Sequence, residues 1–262
     1  MHAEIGALRE ILAQQALVFS FVCRRVHRSR SDPDSTKGAG SFAAVADLPS
    51  VNWSADRLVK IPRMQSVCVF SGASPGVRPG YAETAMRLGE ELAFRGIRLV
   101  YGAGSVGLMG TVADAVLTGG GTVVGVIPEQ LVDTEIPHNG LSELRITASM
   151  HERKAAMADL SDGFIALPGG FGTLEEFAEV LTWSQLGLQR KPCALLDVEG
   201  YYSPLLRFFD HAVTERFVAT EHRDLVLTDT DPARLLDALG AWIPPTVDKW
   251  LDRPSANAVD AR

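Results

Sequence analysis

The sequence predicts an α/β fold in which a mostly parallel sheet is covered by helices on both faces. Two observations predict it. From Ser66 onward, short apolar runs alternate with stretches of helical periodicity, the β-α order of a parallel sheet. Glycine-rich turns also follow two of the apolar runs and lead straight into helical ones, the order of a strand, loop and helix unit.

The first strand is expected at 66–70. The helix after it is expected to line one face with Ala82, Ala85, Met86, Gly89, Leu92 and Ala93 and to close at Gly96. A second strand at 97–100 leads into the loop Tyr101-Gly-Ala-Gly-Ser-Val-Gly-Leu-Met-Gly110 and a helical run ending near Thr118. A third strand, 122–127, ends in Pro128-Glu129. Further strand candidates lie at 144–147, 164–167, 192–196 and 225–228. Between them fall helix candidates at 149–160, 173–187 and 203–217, with a last one at 231–239. In such a sheet ligands bind outside the carboxyl ends of the strands, where both glycine loops fall. This part holds no internal repeat or low-complexity tract.

A chain of 262 residues, 46% hydrophobic and 22% charged, describes a soluble globular protein with one sizeable core, or one core and a tail. The reading divides it into a leader at 1–63, a folded domain at 64–243 and a tail at 244–262. The leader carries nine Lys and Arg against six Asp and Glu, whereas the whole chain has a net charge of −7. That acidity argues against a nucleic-acid surface, which needs clustered Lys and Arg. The run 11–23 is too short to span a bilayer, and its basic residues follow the apolar stretch, the reverse of a secretory signal. Arginines and serines leave an organelle transit peptide open, with Glu4 and Glu10 against it. Residues 31–50 read as a flexible linker, and a true start at Met64 is a second reading of the leader. Cys23, Cys68 and Cys193 are widely spaced and odd in number, with no Cys-x-x-Cys. Cys68 and Cys193 read as core thiols in a reducing compartment, hence a cytoplasmic protein.

The most informative stretch is Pro168-Gly-Gly-Phe-Gly-Thr-Leu-Glu-Glu176, which runs from a buried strand into a helix marked by Phe177, Val180 and Leu181. Backbone N–H groups at such a helix start favour an anion, and phosphate is the expected guest. The upstream loop, with Gly102, Gly104, Ser105 and Gly107, is of the same kind, so the two together suggest one phosphorylated ligand held from both sides. Gly102-x-Gly104-x-x-Gly107 also fits a dinucleotide fingerprint, for which Glu129 would supply the distal acid.

A third constellation is Ser149-Met-His-Glu-Arg-Lys154, at the start of the helix one unit ahead of the Pro-Gly-Gly loop. Arg153 offers a planar fork of donors and Lys154 a point charge, opposite Glu175 and Glu176. Cleavage of a glycosidic bond in a phosphosugar suits this set, because a carboxylate near the ring stabilises an oxocarbenium-like transition state and can activate water. Duller readings stand beside each item. Thr173-x-x-Glu176 also fits a capping box, Arg153 and Lys154 a solvated helix face, and His151 a cap or packing residue. Glu135 and His138 pass as loop residues, and Trp183 as core.

Taken in order, the Gly-x-Gly-x-x-Gly-Leu-Met-Gly loop, Met150-His-Glu-Arg-Lys154 and the Pro-Gly-Gly motif resemble those of the Lonely Guy proteins. These are cytokinin riboside 5′-monophosphate phosphoribohydrolases, once labelled lysine decarboxylases, and the resemblance covers about 66–241. It implies a Rossmann-like, doubly wound fold, a homodimer or larger homo-oligomer, and hydrolysis of a nucleoside 5′-monophosphate to free base and ribose 5-phosphate. It also implies that Arg153 and Glu176 are catalytic. Glu135, Lys154, Gly170, Phe171, Gly172, Thr173, Leu174, Glu175 and Thr182 are implied to contact the nucleotide. Ala103 stands where the family commonly has a glycine, which bears on any contact needing a positive φ there. The leader is not part of the family pattern.

The expectation is therefore a cytoplasmic hydrolase of cytokinin riboside 5′-monophosphates or adenosine monophosphate, without metal, redox or other cofactor, and with no nucleic-acid or membrane partner. The alternatives are a non-catalytic carrier or sensor of a phosphorylated ligand, as in molybdenum-cofactor carriers, and an NAD-binding protein. The decarboxylase label has no lysine marked for a pyridoxal phosphate Schiff base.

Overall fold

The computed structural model describes residues 64–132 and 137–245. The expectations for the leader, for Cys23, for Glu135 and for nearly all of the tail lie outside the described residues.

Seven strands form one sheet: β1 (Ser66–Phe70), β2 (Arg98–Tyr101), β3 (Val123–Pro128), β4 (Glu143–Thr147), β5 (Phe164–Ala166), β6 (Cys193–Leu196) and β7 (Val226–Asp229). Their order is β4-β3-β2-β1-β5-β6-β7, and every neighbouring pair is parallel. The helices are α1 (Pro79–Arg95), α2 (Gly107–Thr118), α3 (Glu129–Val132), α4 (Met150–Asp159), α5 (Phe171–Gln185), α6 (Ser203–Thr214), α7 (Thr220–Arg223) and α8 (Pro232–Ala241). None among the described residues is long and apolar enough to cross a membrane.

Strand alternation builds two cores. On β1, Val67 and Val69 face one layer with Leu88 and Leu92 of α1, Val112 and Val116 of α2, and Leu235 and Leu239 of α8. Cys68 and Phe70 face the other, with Met157 of α4, Phe177 and Val180 of α5, and Tyr202. Burying one such Leu or Phe contributes about 2 kcal/mol, so helices on both faces hold the sheet. This is the doubly wound arrangement the β-α alternation implies, and the sheet proves wholly parallel. β4 differs, being exposed along its first four residues at the sheet edge.

The buried stripe of α1 is rotated from the expected one. Met86 is 45% exposed, whereas Tyr81 and Leu88 are buried. Close approach decides this: a Cβ at Gly89 would meet Ala115 Cβ and the Val112 carbonyl, so Ala85, Gly89 and Leu92 face α2. Gly96 closes α1 as expected, in the left-handed conformation at φ 66°. The single turns α3 and α7, and a 3₁₀ turn at Val198–Gly200, are too short to leave a periodic signal.

The chain leaves edge strand β4 and returns through α4 to β5, beside β1. Strand order therefore reverses between β1 and β5, which opens a crevice at their carboxyl ends. The loops after β1, β2 and β5, and the start of α4, meet there.

Candidate active site

The second glycine loop is open. Helix α5 begins at Phe171 with Gly170 as N-cap and no side-chain capping bond, so its first N–H groups have no intrahelical acceptor. A Cβ at Gly170 or Gly172 would meet no atom within 4 Å, and Phe171 is 94% exposed. The start lies two residues ahead of the expected Thr173. Thr173 is buried within the first turn, its hydroxyl filling the space a Cβ on Gly169 would take. It is therefore not an N-cap, and the Thr173-x-x-Glu176 capping box does not form. The box lies instead at α4, where Ser149 Oγ accepts from Glu152 N (3.2 Å) and Glu152 Oε2 accepts from Ala148 N (3.0 Å). Ser149-x-x-Glu152 carried the same spacing in the sequence.

The first glycine loop is packed where the second is open. A Cβ at Gly102 would collide with the Arg153 guanidinium, and one at Gly104 with the Met109 side chain. Gly107, at φ 61°, lets the backbone press on Ala73 and Ser74, and Leu108 N donates to Gly72 O (3.0 Å). Ser105, beside Gly104, is half-buried. Ala103 takes φ 65°, the conformation a glycine would hold there. Its carbonyl accepts from His138 N (2.9 Å), while His138 Nε2 meets Asp114 Oδ1 at 2.8 Å.

Gly102 thus seats an arginine. Arg153 is 6% exposed, which rules out a solvated helix face; its Nη2 donates to Gly102 O (3.0 Å), and Nη1 lies 3.8 Å from Met150 S. Its Nε is buried with no hydrogen-bond partner among the described residues. A guanidinium held with a donor in hand is poised to meet an incoming oxygen. His151 is exposed, and the N-cap of α4 is Ser149.

Glu176, on the first turns of α5, is half-buried. The Cys68 thiol, fully buried on the middle strand, feels both charges. Burial pushes its pKa well up, Glu176 raises it further, and Arg153 draws it down. Arg153 on α4 and Glu176 on α5 thus both act on the Cys68 face of the central strand. Lys154 reaches across to α5 and pairs with Glu175 (2.5 Å) and Glu179 (3.1 Å). Burial lowers its pKa, but its hydrogen bonds to the two carboxylates outweigh that and hold it above the ordinary lysine value. A Schiff-base lysine needs the opposite shift.

Leu174, in the first turns of α5, packs against the core, and Trp183 does likewise further along the helix. Thr182 is exposed, nine residues beyond Thr173 and so about 13 Å along the helix, with its hydroxyl donating to Ala178 O (2.7 Å). Within the described residues it is not brought to the loop. Glu129 is exposed in the single turn α3.

Two contributors escaped the sequence reading. The loop after β1 closes one wall, with Gly72 N donating to Pro168 O (3.0 Å). The strap between β6 and α6 closes another, through Tyr201 and Tyr202. Together they border a cleft of about 230 Å³ lined by Ser74, Tyr81, Leu108, Gly169, Gly170 and Tyr201. A Ser-Gly-Ala-Ser-Pro-Gly run directly after a strand was the available signal for the first.

Fold and rim define the class: a doubly wound α/β protein whose ligand crevice lies at the switch point, walled by one open glycine loop and a buried arginine. Residues 109–239 match the family model described as "Possible lysine decarboxylase". The chain is 50% identical over 182 residues, 70% of its length and 84% of the relative's, to the cytokinin riboside 5′-monophosphate phosphoribohydrolase LOG7 of Arabidopsis thaliana. It is 47% identical over 182 residues, 70% of this chain and 75% of that one, to the phosphoribohydrolase LOG of Oryza sativa subsp. japonica. Among solved structures, the molybdenum cofactor carrier protein of Chlamydomonas reinhardtii aligns with a TM-score of 0.51 at 24% identity, covering 67% of this chain and 96% of that one. That likeness carries the fold alone. The chain belongs to the Lonely Guy family of cytokinin riboside 5′-monophosphate phosphoribohydrolases.

Proposed function

We propose that this protein hydrolyses the N-glycosidic bond of nucleoside 5′-monophosphates, cytokinin riboside 5′-monophosphates and adenosine monophosphate among them, releasing free base and ribose 5-phosphate. The observation that carries the reading is the burial of Arg153 on Gly102, with a donor unspent, above the same strand as the Glu176 carboxylate. The relatives' named activity supports it.

In this reading the open N-terminus of α5 takes the phosphate and sets the ribose between Arg153 and Glu176. The C1′ carbon gains positive charge as its bond to the base nitrogen breaks, and the Glu176 carboxylate stabilises that charge. Water's oxygen bonds to C1′. One water proton stays on the new hydroxyl, and the other passes through Glu176 to the departing base. Arg153 anchors the phosphosugar oxygens, and Lys154 with Glu175 fixes α4 against α5. Glu135 and Thr182 are assigned to the nucleotide by family resemblance. On the same ground the enzyme works as a homodimer or larger homo-oligomer, which light scattering tests. Two buried free thiols, Cys68 and Cys193, support a cytoplasmic setting, which cell fractionation tests.

Chromatography after incubation with nucleoside 5′-monophosphates and the matching nucleosides tests the activity. Base should appear from the monophosphates and scarcely from the nucleosides, because the phosphate supplies the binding energy that positions the ring. Equal rates on both would overturn the reading, and tight binding without release would point to a carrier.

A further inference from the structure

Two phenols hold the strap after β6 against the second glycine loop. Tyr202, 1% exposed, donates from its hydroxyl to the Leu167 carbonyl (2.6 Å). Tyr201, 39% exposed and lining the cleft, donates to the Gly169 carbonyl (2.5 Å). The two carbonyls flank Pro168.

The strap carries strain of the kind that gathers at functional sites. Glu199 at φ 50° and Gly200 at φ 76° are successive left-handed residues, and the first bears a side chain. Its surroundings over-determine it. Asp197 accepts from Tyr202 N (2.5 Å) and Ser203 Oγ (3.0 Å), and Glu199 pairs with Arg78 (3.1 Å) just ahead of α1. The Tyr201 ring meets Tyr81 edge-on at 5.7 Å and Tyr202 at 5.0 Å. All this turns one partly exposed hydroxyl onto one carbonyl.

That carbonyl controls the loop. The Gly169 C=O and the Gly170 N–H belong to one planar trans peptide and point in opposite directions. With glycine on both sides, the peptide has little steric resistance to turning over. Holding the carbonyl on Tyr201 therefore fixes the direction of the Gly170 N–H at the mouth of α5. We propose that Tyr201 is a positioning residue of the phosphate-binding loop, setting its affinity for the phosphorylated sugar. The inference rests on the phosphoribohydrolase reading above.

Tyr201→Phe in the full chain removes only the hydroxyl and keeps the ring contacts. The KM for adenosine monophosphate should rise about fivefold, the size of one net hydrogen bond, with kcat little changed. Affinity for ribose 5-phosphate, measured by calorimetry without turnover, should fall by the same factor, while the melting temperature stays within about 2 °C. Tyr202→Phe is the contrast, lowering the melting temperature through its buried carbonyl while affecting ribose 5-phosphate affinity less than Tyr201→Phe. If Tyr201→Phe proves unstable, Arg78→Ala loosens the strap from outside and should weaken ribose 5-phosphate binding by about twofold. A wild-type chain that releases base, beside a Tyr201→Phe chain with unaltered KM and ribose 5-phosphate affinity, overturns this inference alone. Affinity lost only in step with the melting temperature overturns it too. A wild-type chain inert towards both ligands overturns the functional reading, and this inference with it.

Discussion

Exchanging Glu176 for glutamine keeps its shape and removes its charge, and since Gly170 rather than Thr173 is the N-cap of α5, no capping box is lost. Turnover should fall about a hundredfold or more, with melting temperature and nucleotide affinity nearly unchanged. Full activity would reduce the residue to packing. Arg153→Ala should abolish turnover and weaken nucleotide binding in the same assays, since it removes the guanidinium seated on Gly102. Ala103 poses a different question. Its left-handed backbone costs about 1–2 kcal/mol, but a glycine there would lose about 0.8 kcal/mol of methyl burial and up to about 1 kcal/mol in chain entropy. Ala103→Gly should therefore shift unfolding free energy by less than about 1 kcal/mol in denaturant titration. A larger loss would mean that packing of the methyl against Gly125 decides the residue.

At the scale of elements, α8 carries the clearest acid-sensitive device. Asp231 caps it, accepting from Arg234 N (3.1 Å) and pairing with Arg87 (2.5 Å). Asp229 accepts from the Arg234 guanidinium (2.6 Å). The Arg234 hydrogen bond lowers the Asp229 pKa, and the Arg234 backbone N–H lowers that of Asp231. A carboxyl whose folded pKa lies below its unfolded value holds fewer protons when folded. Its stabilisation is then full above the ordinary value of about 3.9 and is lost as pH falls through the folded pKa. Thermal melts from pH 6 to 2.5 should show a decline beginning near pH 4, shallower in Asp229→Asn. Asp231→Ala should cost about 1 kcal/mol at neutral pH, the usual loss of an N-cap.

On the scale of the whole molecule, the described residues close the fold among themselves. All seven strands and both core layers lie there. The first strand is tied at its start, where Gln65 N and Ser66 N both donate to Asp162 Oδ2, at 2.8 and 3.0 Å. Met64 packs at the edge of the core. A chain beginning at Met64 should therefore melt within a few degrees of the full chain and release base at the same rate. Precipitation or loss of activity in that chain alone would make the leader structural.

The sequence by itself determined the place of the inner strands, because a strand buried on both faces is a local apolar run that needs no knowledge of its neighbours. The motif residues were legible for the same reason: glycine before a helix, and a basic pair one unit upstream, are short-range patterns. Tertiary structure decided what those glycines are for. Gly102 and Gly104 are filled by Arg153 and Met109 while Gly170 and Gly172 face open space, and identical residue types give no hint of that difference. The bond from Arg153 to Gly102 spans 51 positions, and that from Tyr201 to Gly169 spans 32. The first exists only once the crossover from β4 to β5 has brought α4 back beside β1, and the second only once α5 has carried the chain from β5 to its neighbour β6. Periodicity records which face of an element is apolar, but not which distant side chain will occupy the space a missing Cβ leaves.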